Sequence, residues 1–304
     1  MFDTVLEVSG LNKTYRGKRG THATDDVSFG VGAGEILGVL GHNGAGKTTL
    51  VNQIVGILKP DSGTITVAGV DAVSHPAAAR RLVSVQAQSN VPITGLTPRK
   101  AIELVGRIRG LSKNHAAERA GRLLNALDLD EWSNKPAQKI SGGVARLTAF
   151  AMAAVAPGKL VILDEPTNDV DPVRRRLLWQ QIRVLKESGT AVLLVTHNVM
   201  EAEHIVDNLI ILDEGRVIAE GTPASLAAPT RNRLTLKLDN CTSKIPDSIH
   251  VVSQDARETT GYIDIDEVAF ITEWASTHCE RFSLTPTSLE DIYIALVDRK
   301  EAHA

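Results

Sequence analysis

Residues 35–58 read EILGVLGHNGAGKTTLVNQIVGIL. A short apolar run, Glu35 to Leu40, has the length and composition of a buried strand, and a glycine-rich loop follows it. After GHNGAGKTT (41–49) the residues take up a helical pattern through LVNQIVGIL (50–58), until Lys59-Pro60 breaks it. Gly41, Gly46, Lys47 and Thr48 fit the spacing G-x-x-x-x-G-K-[ST], and strand, loop and helix come in the order that spacing requires. Glycines let successive backbone N–H groups curl round a phosphate while the following helix points its positive end at it. The pattern predicts that Gly41, Asn43, Gly44, Gly46, Lys47, Thr48 and Thr49 bind the phosphates of a nucleotide. Within it, Lys47 is expected at the β and γ groups and the Thr48 hydroxyl on Mg²⁺.

A second chemical signal lies downstream in LVILDEP (160–166), an apolar strand ending on two carboxylates. Behind a phosphate loop, Asp164 is expected to hold Mg²⁺ through water and Glu165 to polarise an attacking water. Helix 142–155, strand 160–163, a helix from Pro172 to Lys186 and strand 191–195 alternate as parallel strands joined by crossover helices do. Asp171-Pro172 supplies a side-chain cap and a first-turn proline for the second of these helices. Between Pro98 and Leu129, apolar residues recurring every three or four positions predict a mostly helical insertion.

At the amino terminus, Val5–Val8 and Val27–Val31 alternate around a polar stretch from Arg16 to Asp26 and predict an antiparallel β element. Past Thr230 the composition changes: RLTLKL, HVV and YIDI read as short strands. SLEDIYIALV reads as an amphipathic helix with Leu289, Ile292, Tyr293 and Leu296 on one side. The expected domains are 1–228, with a helical subdomain over about 90–155, and a small α+β extension over 229–304.

The bulk numbers exclude several classes. With 43% hydrophobic and 23% charged residues over 304 positions, the chain has an ordinary globular composition, neither disordered nor collagen-like. A net charge of −3 gives no general attraction to nucleic acid, and none is expected as a partner. The triplet Arg174–Arg176 reads as a solvated helix face. Cys241 and Cys279, the two cysteines, lack metal-ligand spacing and suit a reducing compartment, in which separate thiols are expected over the alternative of a disulfide between them. No stretch approaches the ~20 apolar residues of a membrane span, and MFDTVLEVSG is no secretory signal.

Two further motifs make a resemblance specific. SGG at Ser141–Gly143 precedes the acidic strand, and a strand ending in Thr196-His197 follows it. In order and spacing the chain resembles the ATP-binding subunits of ABC transporters over essentially its first 220 residues. The resemblance implies an α/β P-loop NTPase fold of the ABC ATPase type: RecA-like core, antiparallel β subdomain and helical subdomain, here with the small extension. It implies that Ser141, Gly142 and Gly143 grip the γ-phosphate of ATP bound by an opposite subunit, and that His197 contacts the γ-phosphate and orients water. By the same resemblance Gln88, with Gln86 as the alternative, touches Mg²⁺, adenine stacks on Tyr15, and Asp171 couples two sites across a dimer.

Two copies would then sandwich two ATP molecules and drive a separate transmembrane permease from the cytoplasmic face of the membrane. TPTSLED (285–291) resembles the extension of drug and antibiotic exporters of the ABC-2 type, which favours export; the alternative is a non-transport ABC ATPase. What is carried is not written in this chain, since substrate contacts belong to the permease. Two departures from the family pattern stand out: Val144 replaces a glutamine after SGG, and Asp169 replaces a glycine in T-x-G-L-D. They imply slower or more tightly regulated hydrolysis.

Overall fold

Strands built almost wholly of Leu, Ile and Val need cover on both faces, and that requirement shapes the first part of this chain. The computed structural model describes residues 3–15, 21–88, 93, 95–230, 232–255, 257–288 and 291–293. The chain divides into two compact units, Met1–Glu220 and Gly221–Ala304.

The first unit begins with β1 (Thr4–Tyr15), β2 (Thr21–Gly32), β3 (Ile36–Leu40), α1 (Lys47–Ile54), β4 (Ser62–Val67), β5 (Val70–Asp71), α2 (Pro76–Leu82) and β6 (Val83–Gln86). It continues with α3 (Pro98–Ile108), α4 (Lys113–Ala126), α5 (Gly142–Ala154), β7 (Leu160–Asp164), α6 (Pro172–Glu187), β8 (Ala191–Thr196), α7 (Val199–Glu203), β9 (Asn208–Asp213) and β10 (Arg216–Gly221). One sheet has the order β2-β1-β4-β5, with antiparallel pairing. The other has the order β10-β9-β3-β8-β7-β6, and β9, β3, β8, β7 and β6 run parallel.

Every residue of β3, β7 and β8 is buried. Leu37, Val39, Ile162, Leu193 and Ile210 of the parallel sheet share one core with Leu50 and Ile54 of α1 and with Leu6, Val8, Phe29 and Ile65 of the antiparallel sheet. Each such side chain contributes ~1.5–3 kcal/mol through burial. Helix α3 packs on α4 and α5, forming the helical insertion. Thr97 and Ser112 cap α3 and α4 by accepting backbone N–H bonds from Lys100 and His115.

The arginine triplet departs from its expected solvated face. Arg174 reaches the Asp128 carboxylate (3.0 Å) and the Asp171 carboxylate (3.4 Å), and Arg175 donates to the Val170 carbonyl (3.0 Å). Arg176 alone of the three is exposed.

The second unit holds α8 (Pro223–Ala227), β11 (Arg233–Asp239), β12 (His250–Gln254), β13 (Glu258–Asp264), α9 (Val268–His278) and β14 (Arg281–Pro286). Its sheet has the order β12-β13-β11-β14 and closes a small core of Leu236, Leu238, Ile249, Ile263, Ile271 and Ala275. Helix α9 and strand β14 add to the expected strands. Of the expected helix 288–297, Leu289 and Leu296 lie outside the described residues.

One expectation is corrected here: Cys241 and Cys279 form a disulfide. The cause is antiparallel register. Asp239 pairs with Arg281, so the residues two beyond and two before that pair meet where the ladder ends. The Thr242 N–H donates to the His278 carbonyl (2.8 Å) and holds the two turns together.

Candidate active site

Register between the parallel strands assembles the site. Leu40, ending β3, pairs with Thr196, ending β8; Val195 pairs with Asp164, ending β7; Leu163 pairs with Gln86, ending β6. The carboxyl ends therefore stand in one row, and Gly41, His197, Glu165 and Ala87 leave the sheet from a single edge, where ligands of open α/β sheets bind.

At that edge lies an open cavity of about 480 Å³. The loop residues Asn43, Gly44, Gly46, Lys47, Thr48 and Thr49 line it, together with Tyr15 from β1 and with Gln88, Asp164 and Glu165. Thr21, Ala23 and His42 complete the wall; the spacing rule treats position 42 as free, so only the fold marks that histidine. Gly41 is buried beneath the loop. Gly46 has φ 105°, and a Cβ there would lie 2.1 Å from the Ala23 carbonyl oxygen, so no larger residue fits.

Two groups tie the loop down. Lys47 Nζ donates to the Gly41 carbonyl (2.5 Å) and the His42 carbonyl (3.0 Å). Burial pushes the Lys47 ammonium below the ordinary lysine range, and the charges of Glu165 and Asp164 push it back up. The His42 ring places Nε2 3.0 Å from the Asp213 carboxylate at the end of β9 and Nδ1 2.8 Å from the Asn43 carbonyl. That histidine pins the crest of the loop to the neighbouring strand.

The two carboxylates differ in surroundings. Asp164 is pushed up to about 6 by burial first and by the charge of Glu165 second, against Lys47, Arg146 and a backbone N–H of Gln88. Glu165, 2% exposed, sits at φ 50°, a left-handed conformation that costs a non-glycine residue ~1–3 kcal/mol. What the strain achieves is aim. Its carboxylate accepts from Thr196 Oγ1 (3.0 Å), from the His197 N–H (2.9 Å) and from His197 Nδ1 (2.6 Å). An ionised carboxylate only accepts, so Nδ1 carries the proton.

Arg146 joins this edge to the helical insertion. Projecting from α5 and 5% exposed, it donates to the carbonyls of Ala87 (3.2 Å) and Gln88 (2.7 Å). Gln88 faces the cavity, whereas Gln86 is fully buried with Nε2 3.4 Å from the Arg146 carbonyl.

Other expected residues stand elsewhere. Ser141 caps α5, its Oγ accepting from the Val144 N–H (3.3 Å), and neither it nor Gly142 and Gly143 lines the cavity. The Val144 side chain is buried, which is where the apolar replacement for the usual glutamine is spent. Asp171 caps α6, accepting from the N–H groups of Val173 (3.1 Å) and Arg174 (3.0 Å). The Arg174 N–H leads the causes that hold its carboxyl below the usual range.

Comparison with known proteins identifies the family. The family profile described as ABC transporter matches residues 24–168. The daunorubicin/doxorubicin resistance ATP-binding protein DrrA of Streptomyces peucetius is 35% identical, covering 96% of this chain and 92% of that protein. The Nod factor export ATP-binding protein I of Ralstonia nicotianae is 30% identical over 97% of this chain and 94% of its own length. A solved structure of an ATP binding subunit of an ABC transporter superposes with a TM-score of 0.68 at 29% identity, over 74% of this chain and 92% of that one. The chain belongs to the ABC transporter family, as one of its ATP-binding, ATP-hydrolysing subunits.

Proposed function

We propose that this chain drives export through a separate transmembrane permease, hydrolysing Mg²⁺-ATP as one half of a two-site sandwich at the cytoplasmic face of the membrane. The observation carrying the reading is the split of the expected site. Lys47, Thr48, Gln88, Asp164 and Glu165 share one cavity, while Ser141–Gly143 do not line it. A second copy, offering its own α5 amino terminus, supplies what one chain lacks.

The donors fit a hard cation. The Thr48 hydroxyl, the Gln88 amide oxygen and the Asp164 carboxylate are oxygen ligands lining the same cavity. No cluster of three His, Cys, Asp or Glu able to hold a metal occurs among the described residues, as suits an ion shared with substrate phosphates. Bound there, Mg²⁺ would neutralise charge on the β and γ phosphates. Lys47 binds the same phosphates, the phosphate loop orients them, and Glu165, aimed by Thr196 and His197, takes a proton from the attacking water.

Export is supported by the relatives, one named for drug resistance and one for Nod factor export, each matched over more than nine-tenths of this chain. The absence of a helix long and apolar enough to cross a membrane, among the described residues, supports a peripheral placement. In the decisive test, wild type hydrolyses ATP while Glu165→Gln loses at least ~100-fold in rate and accumulates as an ATP-dependent dimer by light scattering. A Glu165→Gln protein that stays monomeric at saturating Mg²⁺-ATP, alone and beside its permease, overturns the sandwich.

A further inference from the structure

The loop between β7 and α6 lies directly on the head of α5. A Cβ on Gly143 would come within 2.4 Å of the Asp169 carbonyl oxygen, and one on Gly142 within 3.5 Å of the Asp169 carboxylate Oδ2. Asp169 therefore holds its charge beside the first N–H groups of that helix. It does so from the left-handed region, φ 64°, which an aspartate tolerates but glycine occupies without strain.

Among the described residues no side chain pairs with that charge. Asp169 is exposed and joins no ion pair or hydrogen bond among the described residues. Arg174 is engaged by Asp128 and Asp171, and Arg175 donates to the Val170 carbonyl. Asp169 also sits beyond hydrogen-bonding service to the helix: Ser141 supplies the side-chain cap of α5.

We propose that Asp169 is an electrostatic brake that sets the ATP concentration at which two copies close. The inference rests on the sandwich proposed above, in which the γ-phosphate held by one copy must reach the α5 amino terminus of the other. There it meets a helix end that attracts anions and a carboxylate that repels them. Each closed pair contains two such encounters, so the effect of one substitution is counted twice.

The test uses full-length protein carrying Glu165→Gln, in which slowed hydrolysis lets closed dimer accumulate, titrated with ATP and Mg²⁺ in light scattering. Adding Asp169→Asn is expected to lower the ATP concentration for half-maximal dimerisation about fivefold in low salt, shrinking to about twofold at high ionic strength. Asparagine still tolerates the left-handed conformation, so it isolates charge; Asp169→Gly relieves the backbone as well. A Glu165→Gln parent that is still monomeric at ATP concentrations where the Asn double variant has already dimerised, and that dimerises at higher ATP, also supports the brake.

An Asn variant that closes at the parent's ATP concentration overturns the brake and leaves the sandwich standing. So does an improvement seen with Gly alone, or one indifferent to salt. If no variant dimerises with ATP, the sandwich itself fails, and the brake with it.

Discussion

The two phosphate-facing elements of this chain are built on opposite plans. On the phosphate loop side, Lys47 and Glu165 are buried, and each functional group is fixed by partners from another strand end or from its own loop. On the α5 side, Ser141 and Gly142 are exposed, and the adjoining loop carries a carboxylate with no side-chain partner among the described residues. The contrast teaches that one face is finished within the chain, ready for substrate, while the other is left open to something that arrives from outside. A preorganised wall gains rate because its dipoles need not reorganise during the reaction. An open wall gains control, because its occupancy depends on a second molecule.

The finished wall breaks most severely at Asp164. Asp164→Asn is expected to lose hydrolysis by about 10³-fold, as a cation ligand is removed. In the nucleotide-free protein the same change is stabilising. Asp164 is raised from 3.8 to about 6, so wild type gains stability as pH falls from about 6 toward 4 and carries the full penalty above 6. Urea unfolding at neutral pH should show the variant more stable by about 2–3 kcal/mol, with the difference vanishing near pH 4. Equal stability of both proteins across that range would mean that neither burial nor the neighbouring Glu165 penalises the Asp164 charge in the free fold.

Arg146 links the walls, and its loss tests how rigid the finished one must be. Arg146→Ala removes donors from the carbonyls of Ala87 and Gln88 and is expected to destabilise by about 2–3 kcal/mol. Single-turnover hydrolysis should fall about tenfold with ATP affinity little changed, because Gln88 loses its position while the phosphate loop keeps its own. A pure loss of stability with an unchanged turnover rate would make Arg146 a packing residue only.

The smallest effect is expected on the open side. Arg174→Ala breaks half-exposed pairs with Asp128 and Asp171 and should cost about 1 kcal/mol in thermal unfolding, declining with added salt. A larger, salt-independent loss would show that this loop is as tightly built as the phosphate loop, and the contrast would lose its force.

Legibility followed contiguity. The strand, glycine loop and helix at 35–58 could be read because every residue needed to cradle a phosphate lies in one short run, and local backbone geometry enforces their order. LVILDEP and the strand ending in Thr196-His197 were legible for the same reason, as apolar runs stopping at a polar residue. Helix α9 was less so: Ile271 and Ala275 carry its buried face, amid β-branched and aromatic residues that weaken a helical pattern.

Sequence by itself thus determined the fold class, the phosphate loop and the identity of the chemical groups, since each is specified by residues a few positions apart. Tertiary structure alone decided that His42 would meet Asp213, that Arg146 would hold Gln88, and that Cys241 would pair with Cys279. It alone set Asp169 against the head of α5. These are contacts between distant segments, fixed by strand register and helix packing, which a linear pattern constrains only through the buried faces it shares.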